Sequence, residues 1–414
     1  MTTDSILRPP AGVTTGPHVA ELVDRYRARF DWYRDMLDTA GAHRTGRLAD
    51  LPLLDSEILT RHYYGDTREV PGTHAFFTSG TSGGARKQIL YCEQDDADYI
   101  AHRGDLFTKF LTGIAPDEVA VADLGTGHAA ASARQIFTDL GLQARDIDFR
   151  APLPEHLERL SEWQPAVLFT MPMILDRIMA ALPEPDFRPR KIMVVGDVAP
   201  AAWRAGVAHW FGISPNDVMD VFGSIEIGAI GYSCAETGLY HFHDHIVAEV
   251  VSPDTVVPGA SPRPPGDGLL LLTSTARRQF PALRYVTGDL VAGLRTIRRY
   301  GRDVQVFDRI EGRITSDYKH GERLSGHDLT HVMATVFPGR PFEAMDDGHL
   351  RIRVAGDPVT DEEQRALRAA VADVAPDVAT MVDSGLVRPI EVEAVHATDL
   401  RSGHGKRRFD LANT

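Results

Sequence analysis

A run rich in glycines, hydroxyls and cations follows two aromatic residues and could bind a polyphosphate. The residues of this run that could make such contacts are Thr78, Ser79, Gly80, Thr81, Ser82, Gly83, Arg86 and Lys87. Glycines let the backbone turn its N–H groups inward, hydroxyls donate further hydrogen bonds, and the two cations attract phosphate. The run is not a Walker A loop, because Lys87 is followed by Gln88 instead of Ser or Thr. A Ser/Gly-rich surface turn is the alternative interpretation.

Apolar segments further along the chain predict the strands and helices that must position the other residues of a phosphate-binding site. The predicted strands are 119–122, 166–169, 192–195 and 218–221, and the helices between them are 129–140, 174–182 and 201–211. Strands that alternate with helices indicate a mainly parallel sheet, in which ligands bind at the carboxyl ends of the strands. The residues predicted at those ends are Gly125, Gly127, His128, Met171, Pro172, Gly196, Asp197, Phe222, Gly223 and Ser224.

The rest of the chain follows other patterns. An apolar stripe over 19–37 predicts an amphipathic helix, and strands are predicted at 241–251 and 269–273. Beyond about residue 312, two predicted strands flank a helix that a capping box opens at Thr360. The sequence therefore predicts an α/β protein with a large N-terminal domain over 1–311, which holds mainly parallel sheets and a β-rich subdomain, and a small mobile α+β domain over 312–414.

Size, charge and cysteine content limit the classes to which the chain can belong. A length of 414 residues exceeds one ordinary core and favours two domains. The formal net charge of −14 argues against binding to nucleic acid or anionic membranes, since both need a basic face. Cys92 and Cys234 cannot form a disulfide framework and are typical of a reducing cytoplasm. The N-terminus lacks the apolar core of a signal peptide, so a cytoplasmic protein is expected.

Five segments occur in an order that resembles the adenylate-forming superfamily of acyl-CoA ligases, peptide-synthetase adenylation domains and luciferases. In chain order, the segments are Thr78–Lys87, Asp220–Glu226, Tyr285–Leu290, Ile310–Arg313 and Ser402–Lys406. One such motif is weak evidence, whereas five in this order are specific. The resemblance covers nearly the whole chain and is greatest to the phenylacetate-CoA ligase branch. It implies ATP and Mg²⁺ as cofactors, and both it and the anionic surface permit a homodimer.

The resemblance also implies roles for individual residues. Glu226 matches the glutamate that holds Mg²⁺, a cation that prefers oxygen ligands. Asp289 matches the aspartate that accepts hydrogen bonds from both ribose hydroxyls, and Arg313 matches a second ribose contact. Gly196-Asp197 falls where the adenine ring packs, and Phe222 would stack on that ring. A solvated Glu and a simple turn are the alternative interpretations of Glu226 and Asp289.

Lys406 matches the lysine that catalyses adenylation in this superfamily. It lies on a glycine-rich segment that a mobile domain could carry into the site, where its ammonium would bridge the acid and the α-phosphate. The alternative is a basic surface tail, because Lys406 is followed by Arg407 and Arg408.

Three positions depart from the pattern of the superfamily. Ile225 stands where a Thr or Ser usually touches the α-phosphate, and Ser224 could compensate from one residue earlier. Thr315 stands where an Asp hinge is usual, and His320-Gly321 replaces Arg-Gly. The last two departures weaken the expectation of thioester formation more than that of adenylation.

Three histidines alternate along the strand predicted at 241–251, so His241, His243 and His245 are expected on one face, near Cys234. Zinc is conceivable there, but two or three ligands on one strand rarely complete a tetrahedron, so the sequence argues against a zinc site. His128 is a candidate for lining the acyl pocket, with a buried structural histidine as the alternative.

The first functional hypothesis is an AMP-forming ligase that activates a carboxylic acid, aromatic by analogy with the branch, and transfers the acyl group to coenzyme A. A second hypothesis keeps adenylation but passes the group to a carrier-protein thiol or an amine, or activates a small oxyanion such as nitrite. A third is a nucleotide-binding protein without turnover, which only Ile225 and Thr315 support.

Overall fold

A computed structural model describes residues 17–42, 47–65, 70–77, 87–124, 128–256, 260, 262–314, 318–319, 323–346, 349–384, 388–400 and 409–411. Its α-helices are α1 (Pro17–Arg29), α2 (Asp31–Thr39), α3 (Ser56–Leu59), α4 (Glu93–Phe110), α5 (His128–Asp139), α6 (Leu153–Trp163), α7 (Pro172–Ala181), α8 (Ala201–Phe211), α9 (Gly326–Val336), α10 (Asp361–Val374) and α11 (Pro376–Asp383). None of the helices in these ranges is long and apolar enough to cross a membrane.

The strands, in chain order, are β1 (Thr73–Phe77), β2 (Gln88–Cys92), β3 (Val119–Asp123), β4 (Gln143–Ile147), β5 (Val167–Thr170), β6 (Lys191–Val194), β7 (Val218–Ser224), β8 (Gly228–Ser233), β9 (Tyr240–Phe242), β10 (Ile246–Val251), β11 (Gly268–Ser274), β12 (Tyr285–Ala292), β13 (Arg295–Arg299), β14 (Arg302–Phe307), β15 (Arg309–Arg313), β16 (Tyr318–Lys319), β17 (Arg323–Leu324), β18 (Phe342–Asp346), β19 (Leu350–Ala355), β20 (Glu391–Val395) and β21 (Phe409–Leu411). The chain forms two compact units, and each consists of two separate stretches. The first unit comprises Met1–Leu106 and Phe222–Arg309, and the second comprises Phe107–Val221 and Ile310–Thr414. The division at residue 311 stays a prediction.

The second unit contains the parallel sheet that the sequence predicts. Its strands lie in the order β4-β3-β5-β6-β7, and each neighbouring pair is parallel. Buried apolar residues fill most of β3, β5 and β6, because helices follow each strand. The edge strand β4 was not predicted, since most of its side chains are polar and its apolar run is too short to signal a strand.

Residues 324–395 of the second unit form the expected α+β arrangement. The sheet order is β20-β19-β18-β21, and one apolar cluster joins it to α9 and α10. The predicted capping box is present, because the Thr360 side chain accepts from the Glu363 backbone while the Glu363 carboxylate accepts from the Thr360 N–H. Strand β21 pairs in parallel with β18 and so ties residues 409–411 to this sheet.

The first unit is rich in antiparallel strands, and two predictions about it were wrong. The stripe over 19–37 is interrupted at Phe30, which adopts an extended conformation between α1 and α2. Its residues nevertheless share one buried face, and Tyr26 and Tyr33 are fully buried. The predicted strand 241–251 is two strands, because β9 ends at Phe242 and the N–H of Ile246 closes a turn onto the carbonyl of His243.

Candidate active site

A turn between β7 and β8 presents the carboxylate of Glu226. The carbonyl of Ile225 accepts from the Tyr91 hydroxyl at 2.7 Å, and the Glu226 carbonyl accepts from Arg277 Nε at 2.9 Å. Both bonds fix the backbone of the turn. The Glu226 carboxylate is half-buried and has no hydrogen-bond or ion-pair partner among the described residues. A carboxylate on a fixed backbone and without a protein partner of this kind fits a hard cation such as Mg²⁺, which prefers oxygen ligands.

The guanidinium that holds this turn lies at the centre of a buried network. Arg277 is 3 % exposed, and its Nη2 donates to the Leu90 carbonyl at 3.0 Å. Its Nη1 lies 3.0 Å from Asp95 Oδ2, and its guanidinium carbon lies 3.8 Å from the centre of the Tyr91 ring. Arg277 therefore links the Glu226 turn to both β2 and α4.

The predicted nucleotide-contact residues Phe222, Gly223 and Ser224 are the last three residues of β7, which runs three residues further than the predicted strand 218–221 and keeps them at its carboxyl end. Arg103 Nη2 donates to the carbonyl of Phe222 at 2.9 Å. A Cβ atom on Gly223 would lie 2.5 Å from that same Nη2, so any larger residue would displace the arginine. The Ser224 hydroxyl accepts from the N–H of Ile227 at 3.2 Å and keeps its own proton for a further bond.

A β-bulge in β12 presents Asp289. Thr287, Gly288 and Asp289 all stand opposite the single residue Leu270 of β11. The Thr287 hydroxyl stabilises the bulge, since it donates to the Leu270 carbonyl and accepts from the Asp289 N–H, each at 3.0 Å. Gly288 has φ +82°, a conformation that other residues rarely adopt. Bulges often redirect a side chain next to an active site.

Lys87 is the one member of the predicted phosphate-binding run inside the described residues. Its Nζ donates to the Ser56 hydroxyl at 2.9 Å and lies 4.6 Å from the centre of the Tyr64 ring. The predicted site residues that lie outside the described residues are Thr78, Ser79, Gly80, Thr81, Ser82, Gly83, Arg86, Gly125, Gly127 and Lys406.

In the second unit, the ends of β5 and β6 bring two predicted residues together. Met171 precedes α7, whose first residue is Pro172. Gly196, with φ +95°, lies beside Met171, because a Cβ atom on the glycine would be 3.8 Å from the Met171 sulfur. One carboxylate oxygen of Asp197 accepts from the N–H of Val198 at 2.8 Å.

The structure places two further predicted residues of the second unit at the ends of elements. His128 is the first residue of α5 and is 8 % exposed. Arg313 is the last residue of β15 and is exposed. The roles of both stay predictions.

A buried acid–histidine pair at the carboxyl end of β3 escaped the sequence analysis. His156 Nδ1 lies 3.0 Å from Asp123 Oδ2, and its Nε2 lies 3.1 Å from the Ala151 carbonyl. Burial raises the pKa of Asp123, whereas the contact with Asp123 raises the pKa of His156 against the opposing effect of burial. Both ring nitrogens face acceptors, which favours the imidazolium form. The signal in the sequence was Asp123 itself, an acidic residue at the end of an otherwise apolar strand.

The histidines and Cys234 form a different arrangement from the one predicted. His241 lies on β9, but His243 and His245 follow its end. Among the described residues, no three His, Cys, Asp or Glu side chains are placed to hold a metal ion. Arg299 Nη1 instead donates to the Cys234 sulfur at 3.2 Å, and His241 Nε2 lies 3.4 Å from that nitrogen.

We expect Cys234 to react as a thiolate at neutral pH. Burial raises the pKa of its thiol, but contacts with His241, Arg299 and Thr237 outweigh burial and lower the pKa to about 6. In a Cys92→Ser variant, the rate of alkylation by iodoacetamide should therefore reach half its maximum near pH 6, against about 8.5 for an ordinary thiol. Arg299→Leu should move that midpoint upward. A midpoint above pH 8 in the parent variant would contradict the prediction.

Comparison with known proteins identifies relatives of the chain. A family model for the "Fumarate--diaminopropanoate ligase C-terminal domain" matches residues 319–397. The fumarate--(S)-2,3-diaminopropanoate ligase of Enterobacter agglomerans is 39% identical over 389 residues, which cover 94% of this chain and 97% of the relative.

Solved structures of adenylate-forming ligases share the fold. A 2-hydroxyisobutyryl-CoA ligase in its postadenylation state, in complex with 2-HIB-AMP, matches with a TM-score of 0.65 at 18% identity, over 97% of this chain and 93% of that one. The amide bond synthetase McbA from Marinactinospora thermotolerans matches with a TM-score of 0.53 at 15% identity, over 83% and 68%. The chain therefore belongs to the adenylate-forming superfamily of ligases, in the family of the fumarate--(S)-2,3-diaminopropanoate ligase.

Proposed function

We propose that this ligase activates a short dicarboxylic acid, such as fumarate, as an acyl-adenylate and transfers the acyl group to an amine of an amino acid. The identity of 39% over nearly the whole chain to a fumarate--(S)-2,3-diaminopropanoate ligase carries the proposal. The relative's name specifies a dicarboxylate and a diamine, so we prefer these classes to the aromatic acid and coenzyme A that the sequence analysis put first.

In the first half-reaction, an oxygen of the carboxylate attacks the α-phosphorus of ATP. A C–O–P mixed anhydride forms, the bond between the α-phosphorus and its bridging oxygen breaks, and pyrophosphate leaves. Two anions approach each other in this step, so the site must supply cations and hydrogen-bond donors rather than a strong base.

The residues described above would divide this task. Glu226 would hold Mg²⁺, which supplies positive charge to the phosphates when it is bound. The Thr78–Lys87 run would bind the β- and γ-phosphates, and Asp289 on its bulge would accept hydrogen bonds from the ribose. Lys406 would bridge the acid and the α-phosphate, carried there by the domain that we propose over 312–414.

In the second half-reaction, the amine nitrogen attacks the acyl carbon of the adenylate. A C–N bond forms, the C–O bond to AMP breaks, AMP leaves as an anion, and the amine loses one proton to solvent. The departures at Thr315 and His320 fall at positions where the superfamily usually carries Asp and Arg for the second half-reaction, which supports an acceptor other than coenzyme A.

Exchange of labelled pyrophosphate into ATP tests the first half-reaction. We expect fumarate to support exchange, and benzoate and phenylacetate to support at least tenfold less. Exchange supported best by aromatic acids would contradict the proposed substrate class, and the absence of exchange with any acid would contradict adenylation.

Mass spectrometry of the product tests the second half-reaction. With fumarate and ATP, we expect an amide with 2,3-diaminopropanoate and no thioester when coenzyme A replaces the amine. A thioester as the main product would restore the coenzyme A hypothesis.

A further inference from the structure

Arg103, on α4 in the first unit, is a buried cation with incomplete hydrogen bonding. It is 2 % exposed, and within the described part of the chain its Nη2 alone has a hydrogen-bond partner, the Phe222 carbonyl. Its Nε and Nη1 are enclosed and have no hydrogen-bond partner among the described residues. These two nitrogens carry three N–H donors, and burial of a charged group without partners is costly.

Two acidic residues that precede Arg103 on α4 already pair with other cations. The Asp95 carboxylate lies 3.0 Å from Arg277 Nη1, and the Asp98 carboxylate lies 2.6 Å from Arg278 Nη1. Among the described residues, no carboxylate forms an ion pair with Arg103. The missing counter-ion is therefore not supplied by these parts of the chain.

The neighbouring histidines do not add charge at neutral pH. His102 and His245 stack with their ring centres 3.8 Å apart. Burial lowers the pKa of His102, and burial with the nearby His102 and Arg103 lowers the pKa of His245 to about 3. Both rings are therefore neutral near pH 7, and the guanidinium is the charge that a ligand would meet.

Arg103 contacts the end of β7, where the superfamily resemblance implies that Phe222 and Ser224 contact the nucleotide. It binds the carbonyl of Phe222, and Gly223 allows its close approach because a side chain there would meet Nη2 at 2.5 Å. The Glu226 turn begins two residues after Gly223. A group bound by Arg103 would thus lie beside the segment that leads into the turn.

We propose that Arg103 binds the second carboxylate of the dicarboxylic acid, the one that is not activated. This inference rests on the proposed function. Adenylation removes the charge of the reacting carboxylate, but the second carboxylate remains an anion and must be paired wherever it is buried. Arginine suits this purpose, since it is always charged and offers several donors to one carboxylate.

A purely structural role for Arg103 is the competing interpretation. One hydrogen bond to Phe222 and the ring of Tyr99, 5.8 Å from the guanidinium carbon, could hold α4 against β7. Loss of that role would lower the activity towards every acid by the same factor. Loss of a carboxylate contact would lower it for dicarboxylates alone.

The test compares fumarate with crotonate, which replaces one carboxylate of fumarate by a methyl group. Pyrophosphate exchange gives kcat/KM for each acid in the wild type, Arg103→Leu, Arg103→Lys and the control Arg298→Leu, an exposed arginine of β13. We expect Arg103→Leu to lower the fumarate-to-crotonate ratio by about ten- to a hundredfold, which is the effect of one lost charge-assisted contact. Arg103→Lys should give an intermediate ratio, and Arg298→Leu the wild-type ratio.

A measurement on the wild type covers the case in which the variants do not fold. Because Nε and Nη1 are enclosed, the acid must displace a neighbouring side chain to reach them. Fumarate, but not crotonate, should therefore change hydrogen exchange at the amides of residues 99–106.

The outcomes separate this inference from the proposed function. If fumarate supports exchange but Arg103→Leu keeps the wild-type ratio, or if both acids affect residues 99–106 equally, Arg103 is structural and the proposed function stands. If no acid supports exchange in the wild type, the proposed function fails and this inference fails with it.

Discussion

Replacing Lys406 by alanine should slow formation of the acyl-adenylate by about a hundred- to a thousandfold, the usual effect of removing one charge from a transition state. The expected loss lies in the rate of the first half-reaction, because the ammonium would neutralise charge that develops between the acid and the α-phosphorus. Single-turnover release of pyrophosphate measures that rate directly. Binding of ATP, measured separately by calorimetry, should change much less.

Two neighbouring cations provide matched controls for Lys406. Arg407→Ala and Arg408→Ala each remove one positive charge from the same segment, so they report the effect of a basic surface tail. Strand β21 begins three residues after Lys406 and pairs with β18, which ties this end of the segment to the small sheet. If all three variants lose activity equally, the assignment of Lys406 to catalysis is wrong.

Replacing Arg277 by methionine should lower the free energy of unfolding of the first unit by about 3–5 kcal/mol, because it leaves the buried Asp95 carboxylate without the closer of its two cations, with Arg278 remaining at 3.9 Å. The substitution also removes the hydrogen bonds to the Glu226 and Leu90 carbonyls. Hydrogen exchange at the amides of β2 and α4 measures this loss locally. Exchange in the small sheet of β18–β21 serves as the internal control.

A double-mutant cycle distinguishes loss of the ion pair from loss of packing. Asp95→Asn with Arg277→Met removes both charges, so the double variant should be more stable than the sum of the single effects predicts. Part of the loss of stability should remain in the double variant, since Asp95 also accepts hydrogen bonds from the backbone N–H groups of Arg278 and Gln279. Strict additivity would show that the two side chains do not stabilise each other.

Sequence patterns predicted the strands whose side chains are mostly buried. The strands around Val121, Leu168 and Met193 are short apolar runs in a sheet with helices after each strand, and such runs have few other interpretations. Edge strand β4 was missed because one of its faces needs no apolar residue. The turn at His243 was missed because alternation continues through it in the sequence.

Pairings between distant residues could not be predicted in the same way. Asp123 and His156 are 33 positions apart, and Arg277 and Asp95 are 182 apart. Neither pair leaves a periodic signal, because each depends on which strand ends and helices the fold brings together. The motif residues Glu226 and Asp289 were found from local spacing, whereas the contacts that hold their backbones came from the structure.

The discontinuity of the first unit affects how the chain folds during synthesis. The Tyr26 hydroxyl donates to the carbonyl of Arg277, 251 residues later. At ordinary translation speeds of about 5–20 residues per second, α1 emerges on the order of ten to fifty seconds before that acceptor exists. The stretch 107–221, which holds the parallel sheet, is complete well before then. The first two helices would therefore expose their aromatic face to chaperones while the ribosome is still at work.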